Sequence, residues 1–577
     1  MLKPIAMKKV RIFIHRDYVD LVLHRLGEIG TFQVIDIKDD LDEFDDKLHV
    51  AGTSDKLFKI SSLLSRVNSL IDALQIKKIP ATKVSTEVPI TEERLNQISS
   101  KVGIIEEETQ KILTQLSELE KTKIMKQEAK QKNEQLKQQL MGLAQENGDS
   151  LLISREELEI EKSVEEVKTF MGSTKYTHVI EGWVPNSDLK RTEDAVKAAS
   201  EGYYLTTFPL SKNYEHEGDE RKLPPTSLKN PRLIKVFESL TKAFGIPNYH
   251  EIDPTIFWLF SFPIIFGLMF GDIGHGALLF TGGVLFHYVK KKGVKISGAF
   301  GQIVNYPLGG ATLLMLCGIT SIIIGFLYGE VFGSEKLYST LVQSLGFRII
   351  WTEGPTPVIK DVIEPITSRN IYWFSPWHHP MSLLKYSIYI GMIQISFGLI
   401  LSVINHLKNH EVKEAVVGPM MWVWLYWSFC ILILKFKWNV VMALMNFSML
   451  ETYVVFHPVI PLMFMLLLRS ISHGMKGMTE ALESFLASVS HTVSYARILA
   501  LKMVHSAFTI IFPFSLTIGG FITFVIGTMF IMTLESLLAF LHSLRLHWIE
   551  WFLKFYKGTG HVYQPFVITR RFTICGD

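Results

Sequence analysis

The chain has 577 residues, 48% of them hydrophobic, a mean hydropathy of +0.23 and a net charge of +3, so it has room for several domains and reads as a membrane protein. The charge averages two unlike halves: before about residue 250 Lys, Glu and Asp abound, and beyond it long apolar runs dominate. Cys317, Cys430 and Cys575 offer neither a disulfide framework nor a zinc spacing, and the short, basic, strand-like opening Met1–Asp17 does not read as a cleavable signal peptide.

Between Lys8 and Lys38, Val10, Ile12 and Ile14 alternate as in a strand, Tyr18–Leu26 has helical spacing, and Phe32–Ile37 reads as a second strand. This predicts a small βαβ lobe, with no GxGxxG at its first turn and therefore no dinucleotide site. Thr91–Leu143 then predicts a long polar helix. Leu95, Ile98, Val102, Ile105, Ile112, Leu116 and Leu119 follow a 3-4 spacing with Thr109 in the one gap, which is the seam of a coiled coil. The seam weakens at Lys123 and Lys126, and the run reads as a spacer or docking rod. Mixed α/β pattern returns over Leu151–Thr207: helices at Glu161–Met171 and Asp188–Glu201, strands at His178–Val184 and Tyr203–Phe208. The charged stretch Lys212–Pro231, with Pro224, Pro225 and Pro231, reads as a linker. The expectation is an α+β domain over residues 1–235, with lobes at about 1–85 and 150–210 joined by a coiled-coil helix at 91–147.

Residues 236–577 are expected to form an all-α membrane domain of about eight spans with two long final helices. The spans are Ile256–Phe270, Ala277–Val289, Ala311–Gly329, Leu384–Ile404, Val416–Leu434, Tyr453–Leu468, Ala481–Phe514 and Gly520–Trp551. The first two meet at Phe270-Gly271-Asp272-Ile273-Gly274-His275-Gly276. Three glycines beside Asp272 and His275 predict a tight turn with its polar groups in water, and an ion path is the alternative. Glu330 reads as a span end. With the amino-terminal half in the cytoplasm, Lys290–Lys295, Lys408–Lys413, Arg469–Lys476 and Lys554–Arg571 all fall inside, Lys435 and Lys437 being the main outward exceptions. Both termini are then cytoplasmic, and Gly333–Met381, rich in Trp, Pro and His, lies outside.

The last two spans carry charges that apolar helices do not normally hold. Arg497 stands near the middle of Ser484–Leu516, flanked by His491 and His505, at a cost of about 2.5–3.5 kcal/mol by insertion scales. At about 100° per residue, Glu483, Ser490, Ser494, Arg497 and His505 fall within a stripe roughly 80° wide. Glu535, Leu538, His542 and Arg545 share a face of the final span. These groups are either functional or satisfied structural ion pairs inside a bundle. The chain has no GxxxxGK[ST], no HExxH, Met269 where an intramembrane aspartyl protease would want Gly, and no arginine-rich patch interleaved with aromatics, so nucleotide hydrolysis, zinc proteolysis and nucleic-acid binding are not expected. No cofactor is expected either.

The string Ser494-Tyr495-Ala496-Arg497-Ile498-Leu499-Ala500-Leu501 with His505 following resembles the penultimate span of the a subunit, or subunit I, of rotary vacuolar- and archaeal-type ATPases. The turn Phe270–Gly276, Tyr328–Gly333, the surroundings of Trp183 and Leu541–Gly560 are similar to that family too, and the length suggests a prokaryotic form. The resemblance implies a static, non-catalytic cell-membrane subunit beside a rotating proteolipid ring. Two half-channels would carry H⁺ or Na⁺, and the soluble half would be a stator arm. Implied partners are the proteolipid c/K ring, the peripheral-stalk E and G/H subunits, the central-stalk d/C subunit and the lipid bilayer. By the same resemblance Arg497 faces the ring carboxylate and Arg545 is the second arginine. Glu535, His505, His542, His491, Ser494 and Glu550 line the path, and Asp272, His275 and Glu330 are turn or ion-path residues. A standalone ion-coupled secondary transporter with a regulatory domain, and a scaffold with no ion path, are the rival readings. No internal repeat of the kind a transporter shows is visible.

Overall fold

The computed structural model describes all residues except 1–3, 38–48, 51–53, 77–82, 87–88, 122–127, 209–222, 232–233, 293–308, 345–347, 352–369, 374, 437–457, 514–516 and 576–577. Lys123 and Lys126 of the expected seam, 212–222 of the linker, 293–295 of the basic loop, Lys437 and 453–457 of one expected span therefore lie outside the described residues, as does much of the loop 333–381. The chain forms two compact units, one from Ile5–Pro225 together with Val562–Asp577, the other within Thr226–His561.

In the first unit the strands are β1 (Met7–His15), β2 (Gln33–Ile35), β3 (His49–Val50), β4 (Val84–Thr86), β5 (Gly172–Ser173), β6 (Thr177–Pro185) and β7 (Tyr204–Thr207). Alternation along β1 sends Val10, Ile12 and Ile14 into the core, as their spacing requires. Both edges of β1 are satisfied by strands distant in sequence: β6 antiparallel on one side, from Met7 opposite Pro185 to His15 opposite Thr177, and β7 antiparallel on the other. The result is one six-stranded sheet in the order β3-β5-β6-β1-β7, with β2 also pairing β6. The strands of the two expected lobes thus share a sheet. Backbone groups left open along a short local βαβ lobe find their partners here in the second segment. Gly182 allows this closure, because a Cβ there would lie 2.3 Å from the Phe32 ring.

Among the described residues five α-helices complete the unit: α1 (Val19–Ile29), α2 (Asp55–Ala73), α3 (Glu92–Lys121), α4 (Glu128–Lys168) and α5 (Leu189–Ala199). The expected seam residues Leu95, Ile98, Val102 and Ile105 are buried against Ile60, Leu63 and Val67 of α2 and Leu151 and Leu158 of α4. Arg94, at the start of α3, meets Glu157, near the end of α4, so these two helices run antiparallel. The helical arm does not stop near 147. α4 runs unbroken through Gly148, whose open side faces Ile76, because the buried Leu151 and Leu158 continue the apolar face past the Gly-Asp pair. Residues 562–575 pack within this same unit. Thr573–Cys575 pairs in parallel with β4, Ile568 N–H donates to Gly27 O, and Glu156 accepts from the backbone N–H groups of Arg571 and Phe572.

The second unit is largely helical. Its principal helices are Thr255–Met269, Ile273–Lys291, Ala311–Tyr328, Pro380–Lys408, Met421–Phe436, Ile460–Ser494, Ala496–Ile511 and the run from Ile518 through Lys554, with a small parallel strand pair Arg348–Trp351 and Asn370–Trp373. Among the described residues three of these, Ala311–Tyr328, Pro380–Lys408 and Ile518–Lys554, are long and apolar enough to cross a membrane. The expected penultimate span Ala481–Phe514 is divided. A helix from Ile460 to Ser494, kinked at Gly474, is followed by a turn at Tyr495 and a second helix from Ala496. Tyr495 is fully buried, its hydroxyl donating to Gln394 Oε1 at 3.1 Å. The final run is not uniform either, since π-helical turns occupy Ile531–Glu535 and Leu546–Trp551.

Candidate functional site

Two ionic clusters are built into the apolar helices of the second unit. The first surrounds Arg497, just past the turn at Tyr495. Its Nη1 lies 3.3 Å from Glu550 Oε1, and its Nη2 donates to Ser494 Oγ. Ser494 Oγ in turn donates to Glu550 Oε1 at 2.5 Å. Glu550 is buried, placed by the π turn Leu546–Trp551, a widened geometry that recurs where a helix must aim a functional side chain. Arg497 keeps 21% of its side chain exposed. Exposed apolar side chains lie on the helix before it (Leu486 and Val493), on its own helix (Val504) and on the final helix (Leu537 and Leu541).

The second cluster lies around the turn between Thr255–Met269 and Ile273–Lys291. Asp272 caps the second of these helices, accepting from His275 N–H at 2.9 Å, and it also accepts from Phe332 N–H at 3.1 Å and Gly333 N–H at 2.5 Å. His275 Nδ1 lies 3.2 Å from Asp272 Oδ1, and His505 Nε2 lies 3.7 Å from Oδ2. On its other side His505 Nδ1 is 3.0 Å from Glu535 Oε1. The two imidazoles stand nearly perpendicular with ring centroids 5.3 Å apart, between the rings of Phe270 and Phe332. All four polar residues are buried. The expectation that this turn keeps its polar groups in water is therefore corrected. Close packing of glycines draws it inward: a Cβ on Gly325 would lie 2.5 Å from the Asp272 backbone. The ligand atoms of Asp272, His275 and His505 all fall within 4.8 Å of one another, but three backbone N–H groups already occupy most of the carboxylate's lone pairs.

Next to this cluster Lys502 is completely buried. Its Nζ donates to Glu330 Oε2 at 2.6 Å and to Gly271 O at 2.8 Å. Glu330 also lines a cavity of about 640 Å³, together with Phe332, Ser506, Thr509 and Trp377.

The expected polar stripe is thus split. Arg497 and Ser494 meet Glu550, whereas His505 turns into the separate Asp272–Glu535 cluster, and Glu483 and Ser490 are exposed. His491 and His542 are half-buried. Arg545 is exposed, about 80° around the helix from the buried Glu535 at 100° per residue. Glu330 does follow the end of Ala311–Tyr328, as a span end would. The sequence reading missed Lys502. The signal was present in a lysine inside an apolar run, one turn before His505 on the same helix.

Apolar helices, three of them among the described residues long enough to cross a membrane, together with buried ionic clusters and a separate α+β unit, define a membrane protein of composite build. The chain belongs to the V-type ATPase 116kDa subunit family, whose sequence model matches residues 105–465 and 474–568. It is 28% identical over 461 residues to A-type ATP synthase subunit I of Methanocaldococcus jannaschii, covering 76% of this chain and 61% of that one. To the subunit I of Archaeoglobus fulgidus it is 30% identical over 440 residues, 69% of this chain and 60% of the relative. To the V-type proton ATPase 116 kDa subunit a 3 of Caenorhabditis elegans it is 24% identical, with 68% and 61% covered. The chain spans about three fifths of the length of these curated relatives.

Proposed function

We propose that this chain is the static membrane subunit of a rotary V/A-type ATPase, a non-catalytic subunit that passes H⁺ or Na⁺ between two half-channels and a rotating proteolipid ring. ATP chemistry takes place on other subunits. The reading rests on family membership together with one observation: a guanidinium held in apolar helices yet partly exposed, between apolar surfaces that a neighbouring helical ring would cover. Arg497 is the group that faces the ring, and Arg545 is the second arginine. Glu535, His505, His542, His491, Ser494 and Glu550 serve the ion path, and Asp272, His275 and Glu330 are turn or ion-path residues beside His505 and Glu535.

A ring carboxylate that has lost its ion is a bare charge in low dielectric, which costs several kcal/mol unless paired. A guanidinium stays protonated and offers several donors, so it stabilises that carboxylate and blocks direct leak between half-channels. Lysine can lose its proton in such surroundings and is the poorer choice. The contact of Arg497 with Glu550 and Ser494 holds the guanidinium ready, at the cost of competition with the incoming carboxylate.

The membrane domain, expected over residues 236–577 but in this reading ending near 561 because residues 562–577 pack with the first unit, crosses the bilayer about eight times with both termini cytoplasmic. Residues 1–235 form the arm that holds the peripheral-stalk E and G/H subunits and approaches the central-stalk d/C subunit. Arg497→Ala in the reconstituted complex is expected to abolish ATP-driven ion pumping while leaving assembly largely intact. Near-normal pumping would reject the assignment. Copurification separates the rivals: a stator subunit brings down a proteolipid ring and a soluble ATPase head, whereas a transporter runs alone.

A further inference from the structure

We infer that residues 562–575 are a taut strap between the first unit and the chain leaving the final apolar helix, and that ion pumping keeps step with ATP hydrolysis only while this strap has no slack. This rests on the stator reading and adds which part of the chain resists the torque.

The strap ties together elements of the first unit that lie far apart in sequence. Ile568 N–H donates to Gly27 O of α1 at 2.8 Å, and Phe566 N–H donates to Phe32 O, just before β2, at 2.8 Å. The Ile568 side chain is buried in the core with Leu23, Leu26 and Ile160. Glycine is needed where the strap crosses α1, since a Cβ on Gly27 would lie 2.5 Å from Ile568 Cδ1. Further on, Glu156 of α4 accepts from Arg571 N–H at 2.5 Å, Phe572 N–H at 2.7 Å and Thr573 Oγ1 at 3.1 Å. Hydrogen bonds to a carboxylate are about twice as strong as neutral ones. Thr573–Cys575 then pairs with β4. A pull on residue 562 therefore works against packing, charged hydrogen bonds and strand pairing together.

The position of the anchors makes the strap taut. From Ile5 onward the chain passes between the two units at Pro225–Thr226 and at His561–Val562. The first passage lies in the charged, proline-bearing stretch Lys212–Pro231. The second is held on both sides. Within the second unit, Gly560 N–H donates to Ile246 O at 2.9 Å, and His561 O accepts from Thr226 N–H at 2.7 Å. Within the first, Tyr563 Oη donates to Thr31 O at 2.6 Å, and Gln564 N–H donates to Gln33 Oε1 at 2.8 Å. Tyr563 is two residues beyond His561, and two residues reach about 7 Å at full extension. A flexible linker gives way under small forces because only entropy resists its extension, whereas so short a link transmits force until bonds break. An arm that must hold against a turning ring needs the second kind of connection.

The test adds slack without undocking the strap. About twelve Gly and Ser residues, with an r.m.s. reach of about 17–21 Å, are inserted between His561 and Val562, or, as the control, between Gly218 and Asp219 of the charged stretch. Each intact complex is reconstituted in vesicles, and ions pumped per ATP hydrolysed are measured. The insertion after His561 should lower that ratio about threefold or more while ATP hydrolysis stays within about twofold of wild type, and an insertion of about four residues should lower it less. Arg570 and Arg571 should resist trypsin as in the wild type, because the strap stays docked. The control insertion should keep the wild-type ratio. A wild-type ratio with the insertion after His561 overturns the inference, and so does an equal loss from the control. Failure to assemble with even the short insertion, or a loss accompanied by cleavage at these arginines, also overturns it, because folding and not slack is then at fault. A wild-type chain that purifies without a proteolipid ring and an ATPase head would sink the stator reading instead.

Discussion

Glu550 is expected to hold Arg497 in place, and Glu550→Gln tests it. The pair is separated by 3.3 Å, and at an effective dielectric constant of 20 its gross Coulomb energy is about 5 kcal/mol. Desolvation of the buried carboxylate offsets part of this, leaving a net coupling of about 2–3 kcal/mol. Glutamine preserves an acceptor for Ser494 and removes the charge, so the guanidinium should leave its present rotamer about 30- to 140-fold more often, at a factor of ten per 1.4 kcal/mol. In the stator reading a wandering arginine no longer separates the half-channels. The ratio of ions pumped to ATP hydrolysed should fall several-fold in proteoliposomes while ATP hydrolysis continues, and passive proton leak should rise. Ser494→Ala, which removes a neutral partner, should have a smaller effect in the same direction. Coupling ratios for Glu550→Gln equal to wild type would refute the claim that this carboxylate positions Arg497.

Two further predictions concern the first unit. Glu161 is buried between His24 Nε2 at 3.2 Å and Lys56 Nζ at 2.5 Å. Burial alone pushes its carboxyl up, but the hydrogen bonds from His24 and Lys56 outweigh that and hold it below the ordinary value. A lowered carboxyl stabilises the fold fully above its unfolded value, about 4.3, and the stabilisation is lost as pH falls through the folded value. Amide protection factors of β1 and β6 in the full chain, taken relative to the intrinsic exchange rate at each pH, should therefore fall below about pH 4.3, and Glu161→Gln should flatten that slope. Glu156 accepts from Arg571 N–H, Phe572 N–H and Thr573 Oγ1, so Glu156→Ala should free the terminal strand at about 1.5–3 kcal/mol per charged hydrogen bond lost, read as faster tryptic cleavage at Arg570 and Arg571.

The residues of the ionic clusters were largely legible in the sequence, because a charge inside an apolar run stands out wherever it folds. Arg497, His505 and Glu535 came from that signal, and Glu550 from the family resemblance. Their grouping was not legible. Helical phase put Arg497 and His505 on one stripe, but they stand eight residues, about 12 Å, apart along one helix, and the π turns at Ile531–Glu535 and Leu546–Trp551 give them different neighbours. Asp272 looked like a wet turn because Gly, Asp and His form turns in water. Only the close approach of Ala311–Tyr328, permitted by Gly325, buries it.

Local pattern by itself placed β1, the helix after it, the seam of the long helical arm and most of the apolar segments, since alternation and 3-4 spacing are properties of neighbouring residues. It also determined the family, through motifs that lie within single segments. Tertiary structure decided what depends on pairs far apart in the chain: that β1 is clasped between β6 and β7, that residues 562–575 return to the first unit, and that Lys502 meets Glu330 across 172 residues. The physical reason is that such pairings are settled by which buried polar groups find partners, and periodicity along one segment carries no information about the partner's address.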